Sequence, residues 1–209
     1  MHLNHVPTVS KPSPPRESLA TALAAAHACR LCEPYLPLGP NPIVRLSPKL
    51  KVLLVSQAPG AIAHRKSVPY LDPSGRRLRE WLGVDEAAFY ESGVFGILPM
   101  GFCYPGKAGG GDAPPRPECA PTWHERLLAA APRPTLTVLI GAYAQAAFLG
   151  ERRRKTLTAT VRDFRAYWPE VLPLPHPSPR NNLWLRRNPW FEGEVLPPLR
   201  AVVAAALRA

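Results

Sequence analysis

Apolar positions recur in two rhythms along this chain. At Leu19, Ala22, Leu23 and Ala26 they fall three and four residues apart, the period of a short helix with one buried face that runs into Cys29. Residues 51–56 (Lys-Val-Leu-Leu-Val-Ser) form a continuous apolar run bounded by turn residues. Such a run fits a strand buried on both faces. Residues 94–98, 135–140 and 171–174 give three more strands. The spans between them read as helices. Ser74 can cap one over residues 75–82, closed by Gly83, and Thr122 with Glu125 forms a capping-box pattern opening one toward Ala131. Others are expected over 142–149, with Gly150 as the stop, and over 156–167. The last lies within 189–209, with Val195, Leu199, Val202, Val203 and Leu207 on one face.

Strands alternating with helices predict an α/β fold: a three-layer α/β/α sandwich around a short central, mostly parallel four-stranded sheet. Its active crevice should lie beyond the carboxyl ends of the strands. Residues 17–209 read as a single domain. Residues 1–16, rich in Pro, Ser and His, read as a flexible arm. The 28 prolines exclude a helical bundle and punctuate many loops. No run of 18 apolar residues exists to span a membrane, and no apolar signal-peptide core opens the chain, so a cytoplasmic protein is expected.

Charge narrows the class of partner. The formal net charge is +11, and basic residues cluster at Arg152-Arg153-Arg154-Lys155 and Arg186-Arg187. A balance this lopsided points to a polyanion, with nucleic acid the first choice. The four cysteines add a candidate centre. Cys29 and Cys32 make a Cys-x-x-Cys, and Cys103 and Cys119 follow as a wider pair. Reduced thiols are expected in this context, so two disulfides are the weaker reading. Four thiolates in two separated pairs suit either a tetrahedral zinc or an iron–sulfur cluster, and the open second pair favours the cluster.

Two loops follow strands and carry candidate chemistry. Ser56-Gln57-Ala58-Pro59-Gly60 turns tightly and aims Gln57 at the crevice. His176-Pro177-Ser178-Pro179-Arg180-Asn181-Asn182 offers a hydrogen-bond donor to developing negative charge, a proline-stiffened tip and an arginine for phosphate.

These motifs, in this order, resemble those of the uracil-DNA glycosylase superfamily over most of the chain from Cys29 onward. Ser56 to Gly60 is similar to the Gly-Glu-Ala-Pro-Gly motif of the family 4 enzymes. Val68-Pro69-Tyr70 with Gly75 looks like the Pro-Phe segment whose ring stacks on the extracted base. His176 to Pro179 resembles the second motif, and with Arg180-Asn181 it resembles that of the single-strand-selective monofunctional branch. Cys29, Cys32, Cys103 and Cys119 match the pattern with which family 4 enzymes hold a [4Fe–4S] cluster.

The resemblance implies a monomeric, monofunctional DNA glycosylase of base excision repair. It would flip a deaminated or damaged base of DNA into a pocket and hydrolyse its N-glycosidic bond. In that scheme Ala58, Gly60, Tyr70 and Asp72 bind the base, and His176 stabilises charge on it. Ser178, Pro179, Arg180 and Asn181 contact DNA. Two positions depart from family 4: Gln57 replaces its glutamate, and Pro99 stands where an asparagine reads the uracil edge. Gln57 can orient water but accepts a proton poorly. His64, expected in the loop between the first motif and Tyr70, is a substitute base or electrostatic partner. Asp72 either faces the pocket or caps the helix with Ser74. A lesion such as hypoxanthine or xanthine enters as an alternative to uracil, and a non-catalytic binder of damaged DNA as an alternative to an enzyme. His124 is expected at the surface, and the five tryptophans in packing roles.

Overall fold

The computed structural model describes residues 17–209, so the arm expected over residues 1–16 lies outside the described residues. The elements run α1 (Leu19–His27), β1 (Val52–Ser56), α2 (Ala61–Lys66), α3 (Pro73–Leu82), α4 (Glu86–Glu91) and β2 (Phe95–Pro99). A small hairpin of β3 (Lys107–Ala108) and β4 (Gly111–Asp112) follows, then α5 (Cys119–Ala130), β5 (Leu136–Ile140), α6 (Ala142–Leu149) and α7 (Leu157–Arg162). The chain ends with β6 (Val171–Leu174), α8 (Asn182–Arg187) and α9 (Leu196–Arg208).

β2, β1, β5 and β6 lie side by side in that order, and every neighbouring pair is parallel. Successive residues of a strand face opposite sides, and here both sides are dry. Val52 and Leu54 point into one core with Leu78 and Trp81 of α3 and Leu199 and Val203 of α9. Leu53 and Val55 point into the other with Ala22 and Ala26 of α1, Leu127 of α5 and Ala144 of α6. Each of these residues is buried. The fold is therefore a three-layer α/β/α sandwich, with all four central strands parallel. Among the described residues the free edge of β2 carries one antiparallel bridge, in which Arg45 N–H donates to Ile97 O at 2.9 Å and Ile97 N–H to Arg45 O at 2.6 Å. Among the described residues no helix is long and apolar enough to cross a membrane.

Several expectations shift. Asp72, not Ser74, caps α3: its carboxylate accepts from Gly75 N–H, and Pro73 opens the helix. α5 starts at Cys119, one turn before the expected box, and Thr122 donates its hydroxyl back to the Glu118 carbonyl at 2.7 Å. The helix expected over 156–167 stops at Arg162 and gives way to a 3-10 turn, Phe164–Ala166. The last helix is preceded by a π-type turn, Phe191–Val195. The short helices α2, α4 and α8 and the β3–β4 hairpin were not anticipated.

Candidate active site at the strand ends

β1 lies between β2, which follows it in sequence, and β5, whose connections run the other way. That reversal opens a crevice at the carboxyl ends of the strands. Both candidate loops leave from there. Ser56, 5% exposed, ends β1, and its carbonyl accepts from Met100 N–H at 2.7 Å. Gln57 O accepts from Gly101 N–H at 2.9 Å. The first motif is thus tied to the segment that follows β2, and Gly60 passes the chain into α2.

The second loop is held as firmly. Leu174 O, at the end of β6, accepts from Gly141 N–H at 2.9 Å and from the buried Gln145 Nε2 at 2.9 Å. Asn181 Nδ2 donates to His176 O at 2.7 Å. Arg77 Nη1 on α3 donates to Pro177 O at 3.3 Å and Ser178 O at 3.1 Å. Arg77 and Gln145 carry no motif, and only the packing of their helices reveals their part.

The same network sets the state of His176. Ser178 N–H donates to His176 Nδ1 at 3.2 Å, so the neutral ring carries its proton on Nε2. Burial lowers the ring's pKa below the ordinary imidazole value, against the opposing pull of the Asp72 and Asp112 carboxylates. Near neutral pH the ring is therefore an uncharged Nε2–H donor.

Between the loops lies a cavity of about 480 Å³, the size of a small-ligand site. Gln57, Ala58 and Gly60 line one side, and His176, Ser178, Pro179, Arg180 and Asn181 another. Tyr70, Asp72 and Pro99 complete the wall. Tyr70 has φ 59°, a left-handed conformation that costs of order 1 kcal/mol for a residue of its size and fixes where its ring goes. That ring packs edge-on against Phe89 at 6.3 Å. The Tyr70 hydroxyl is buried beside Ser56 without hydrogen-bond geometry, and burial raises its pKa. Asp72 both caps α3, through Gly75 N–H at 2.8 Å, and faces the cavity, so its two candidate roles coexist. Pro99 brings no donor, and His124 Nε2 lies 2.9 Å from its carbonyl.

One placement fails. His64 sits on α2 rather than in a loop and is not among the residues lining the cavity; Ala63 lines it instead. The His64 ring leans toward Tyr104, centroids 6.1 Å apart. His124 is a second correction: it is buried, 9% exposed, in line with Phe102. One residue was missed altogether. Asp112, on the β3–β4 hairpin, lines the cavity from the side of Gly60.

Residues 44–200 match the family model described as the Uracil DNA glycosylase superfamily. The chain belongs to that superfamily. Its members act on DNA and are usually DNA glycosylases, and the converging loops lie within the matched span.

The four cysteines lie apart from that cavity, Cys29 and Cys32 before the matched span and Cys103 and Cys119 within it. Cys29 follows α1, Cys32 precedes a 3-10 turn, Cys103 lies beyond β2, and Cys119 opens α5. All four line one small pocket with Phe102 and Trp123. Trp123 Nε1 donates to Cys29 Sγ and Phe102 N–H to Cys119 Sγ, each at 3.3 Å. Burial pushes the Cys103 thiol up to about 11 and that of Cys119 up to about 12, and the neighbouring cysteines add to both shifts. Among the described residues no three His, Cys, Asp or Glu side chains converge as ligands of a single metal ion.

Proposed function

We propose that this superfamily member is a monofunctional DNA glycosylase of the iron–sulfur, family 4 type. It excises a deaminated or damaged base, uracil or a related lesion such as hypoxanthine or xanthine. The observation that carries the reading is the meeting of the Gln57 turn and the His176 turn on one cavity roomy enough to admit a nucleobase. Extruding a nucleotide into it costs a few kcal/mol of stacking and pairing. Tyr70, held by its backbone and by Phe89, offers the flipped base a ring face. As the N-glycosidic bond breaks, electrons move onto the base, and the neutral His176 Nε2–H stabilises the charge without giving up its proton. The sugar becomes cationic, so the DNA phosphates assist and no covalent nucleophile is needed. Arg180, Asn181 and the exposed Arg186 and Arg187 of α8 meet the backbone around the gap.

Cys29, Cys32, Cys103 and Cys119 suit a [4Fe–4S] cluster. Their thiols share one pocket, and the N–H donors of Phe102 and Trp123 already point at sulfur. When bound, the cluster would tie α1, the segment after β2 and α5 together. The protein would act as a monomer in the cytoplasm, where thiols stay reduced.

The test is direct. Full-length protein is incubated with oligonucleotides carrying uracil, hypoxanthine or xanthine, and abasic sites are cleaved with alkali. Cleavage at one or more lesions is expected. A panel with no cleavage leaves the non-catalytic reading, a binder of damaged DNA, which the Gln57 departure favours. The same preparation should be brown and carry four irons per chain; a colourless protein with one zinc would overturn the cluster.

A further inference from the structure

Hydrolysis of a glycosidic bond needs an acceptor beside the attacking water, and the Gln57 amide is a poor one. Two carboxylates line the cavity, and their situations differ. Asp72 gives its Oδ1 to Gly75 N–H as the cap of α3, which pins that carboxylate to the helix start. Asp112 makes no side-chain hydrogen bond or ion pair among the described residues. Its surroundings would allow one. Lys107 is its register partner across the hairpin, and Arg180 reaches the same hairpin to donate to Gly110 O at 2.8 Å, with Gly111 against its guanidinium. Tyr104 and His176 both feel the Asp112 charge. A Cβ built on Gly60 would stand 3.6 Å from Asp112 Oδ2, so the carboxylate lies over the last residue of the first motif. A carboxylate without a partner, on a DNA-facing wall of a chain with net charge +11, opposes binding by repelling phosphates. Its placement is better explained by chemistry than by affinity.

We propose that Asp112 is the catalytic carboxylate that holds and deprotonates the attacking water, an assignment that rests on the glycosylase reading above. The water oxygen bonds to C1′ of the flipped nucleotide as the C1′–N bond breaks, and that electron pair leaves with the base nitrogen. The water's proton passes to Asp112 and returns, through solvent, to the departed base. His176 stays neutral throughout.

The experiment uses full-length wild type, Asp112→Asn and Asp112→Glu, with single-turnover excision of the best lesion in the panel and equilibrium binding to the same DNA. Asp112→Asn keeps size and removes the charge. Its rate should fall about 10²-fold while its Kd stays equal or drops. Asp112→Glu should retain more activity than the amide. Opposite movements of rate and affinity are not the mark of a hairpin that has merely come apart, which would weaken both. An active wild type with Asp112→Asn within about threefold of it overturns the assignment alone. A wild type that excises no lesion overturns both this assignment and the glycosylase reading.

Discussion

Gly75→Ala is expected to lower the melting temperature by about 4–16 °C, and the reason is one carbonyl. A Cβ on Gly75 would stand 1.7 Å from Tyr70 O, 2.5 Å from Tyr70 C and 2.8 Å from Tyr70 Cβ. These are backbone atoms and the root of a fixed ring, so no flexible tip can move aside. Either α3 shifts or Tyr70 leaves its left-handed conformation. Overpacking of this kind costs about 1–3 kcal/mol. The shift also takes Gly75 N–H from the Asp72 carboxylate at 2.8 Å, losing a cap worth about 1 kcal/mol. For a chain of this length each kcal/mol moves the midpoint by about 2–4 °C. Excision should fall with it, because Tyr70 and Asp72 both line the cavity. Gly193→Ala is the control, since a Cβ there meets nothing within 4 Å. Thermal melting of the two variants decides it, and a Gly75→Ala protein that melts with wild type would refute the close-approach argument.

Gly75 shows which parts of this molecule sequence can reveal. The four strands were readable because parallel strands buried on both faces appear as unbroken apolar runs. The two motif loops were readable because each follows such a run. The family resemblance marked Tyr70 and Gly75, but the clash between them is a fact of coordinates. Asp112 was hidden for a different reason. Its hairpin has two-residue strands that alternate nothing, and only Gly109 and Gly110 hint at the turn. Its approach to Gly60 links residues far apart in sequence.

Local signals also misled where tertiary packing overruled them. Thr122 and Glu125 have the spacing of a capping box, yet Pro121 and Thr122 lie inside a helix that opens at Cys119. Starting a turn earlier carries His124 off the surface and under Pro99 O. His64 looked like loop chemistry because residues 61–66 show no amphipathic period, but they form a six-residue helix that presents Ala63 to the cavity.

His176→Ala should cost about 10²–10³-fold in the single-turnover excision rate while leaving DNA affinity within a few-fold of wild type. The ring's one free donor is Nε2–H, because Nδ1 is taken by Ser178 N–H. In the proposed mechanism it meets charge that exists on the base only as the bond breaks, so removing it should weaken the transition state and spare the ground state. On the proposed reading affinity comes instead from the arginines of the loop and α8, which the substitution leaves in place, Arg180 with its hydrogen bond to Gly110 O. His176→Gln, which can place an amide N–H nearby, should keep part of the activity that His176→Ala loses. Acidification provides a second check, and its sign follows from the burial of the ring. Protonated Nδ1 cannot accept from Ser178 N–H, so the loop loses an anchor when the imidazolium forms. Burial disfavours that charge, and Asp72 and Asp112 only partly offset it, so the active neutral form persists below the ordinary imidazole value. Wild-type excision should therefore hold through pH 6.5 and fall only at lower pH. A rate that peaks in the acid range would mean that a charged His176 is the working form, and a His176→Ala enzyme at full speed would remove the ring from the mechanism.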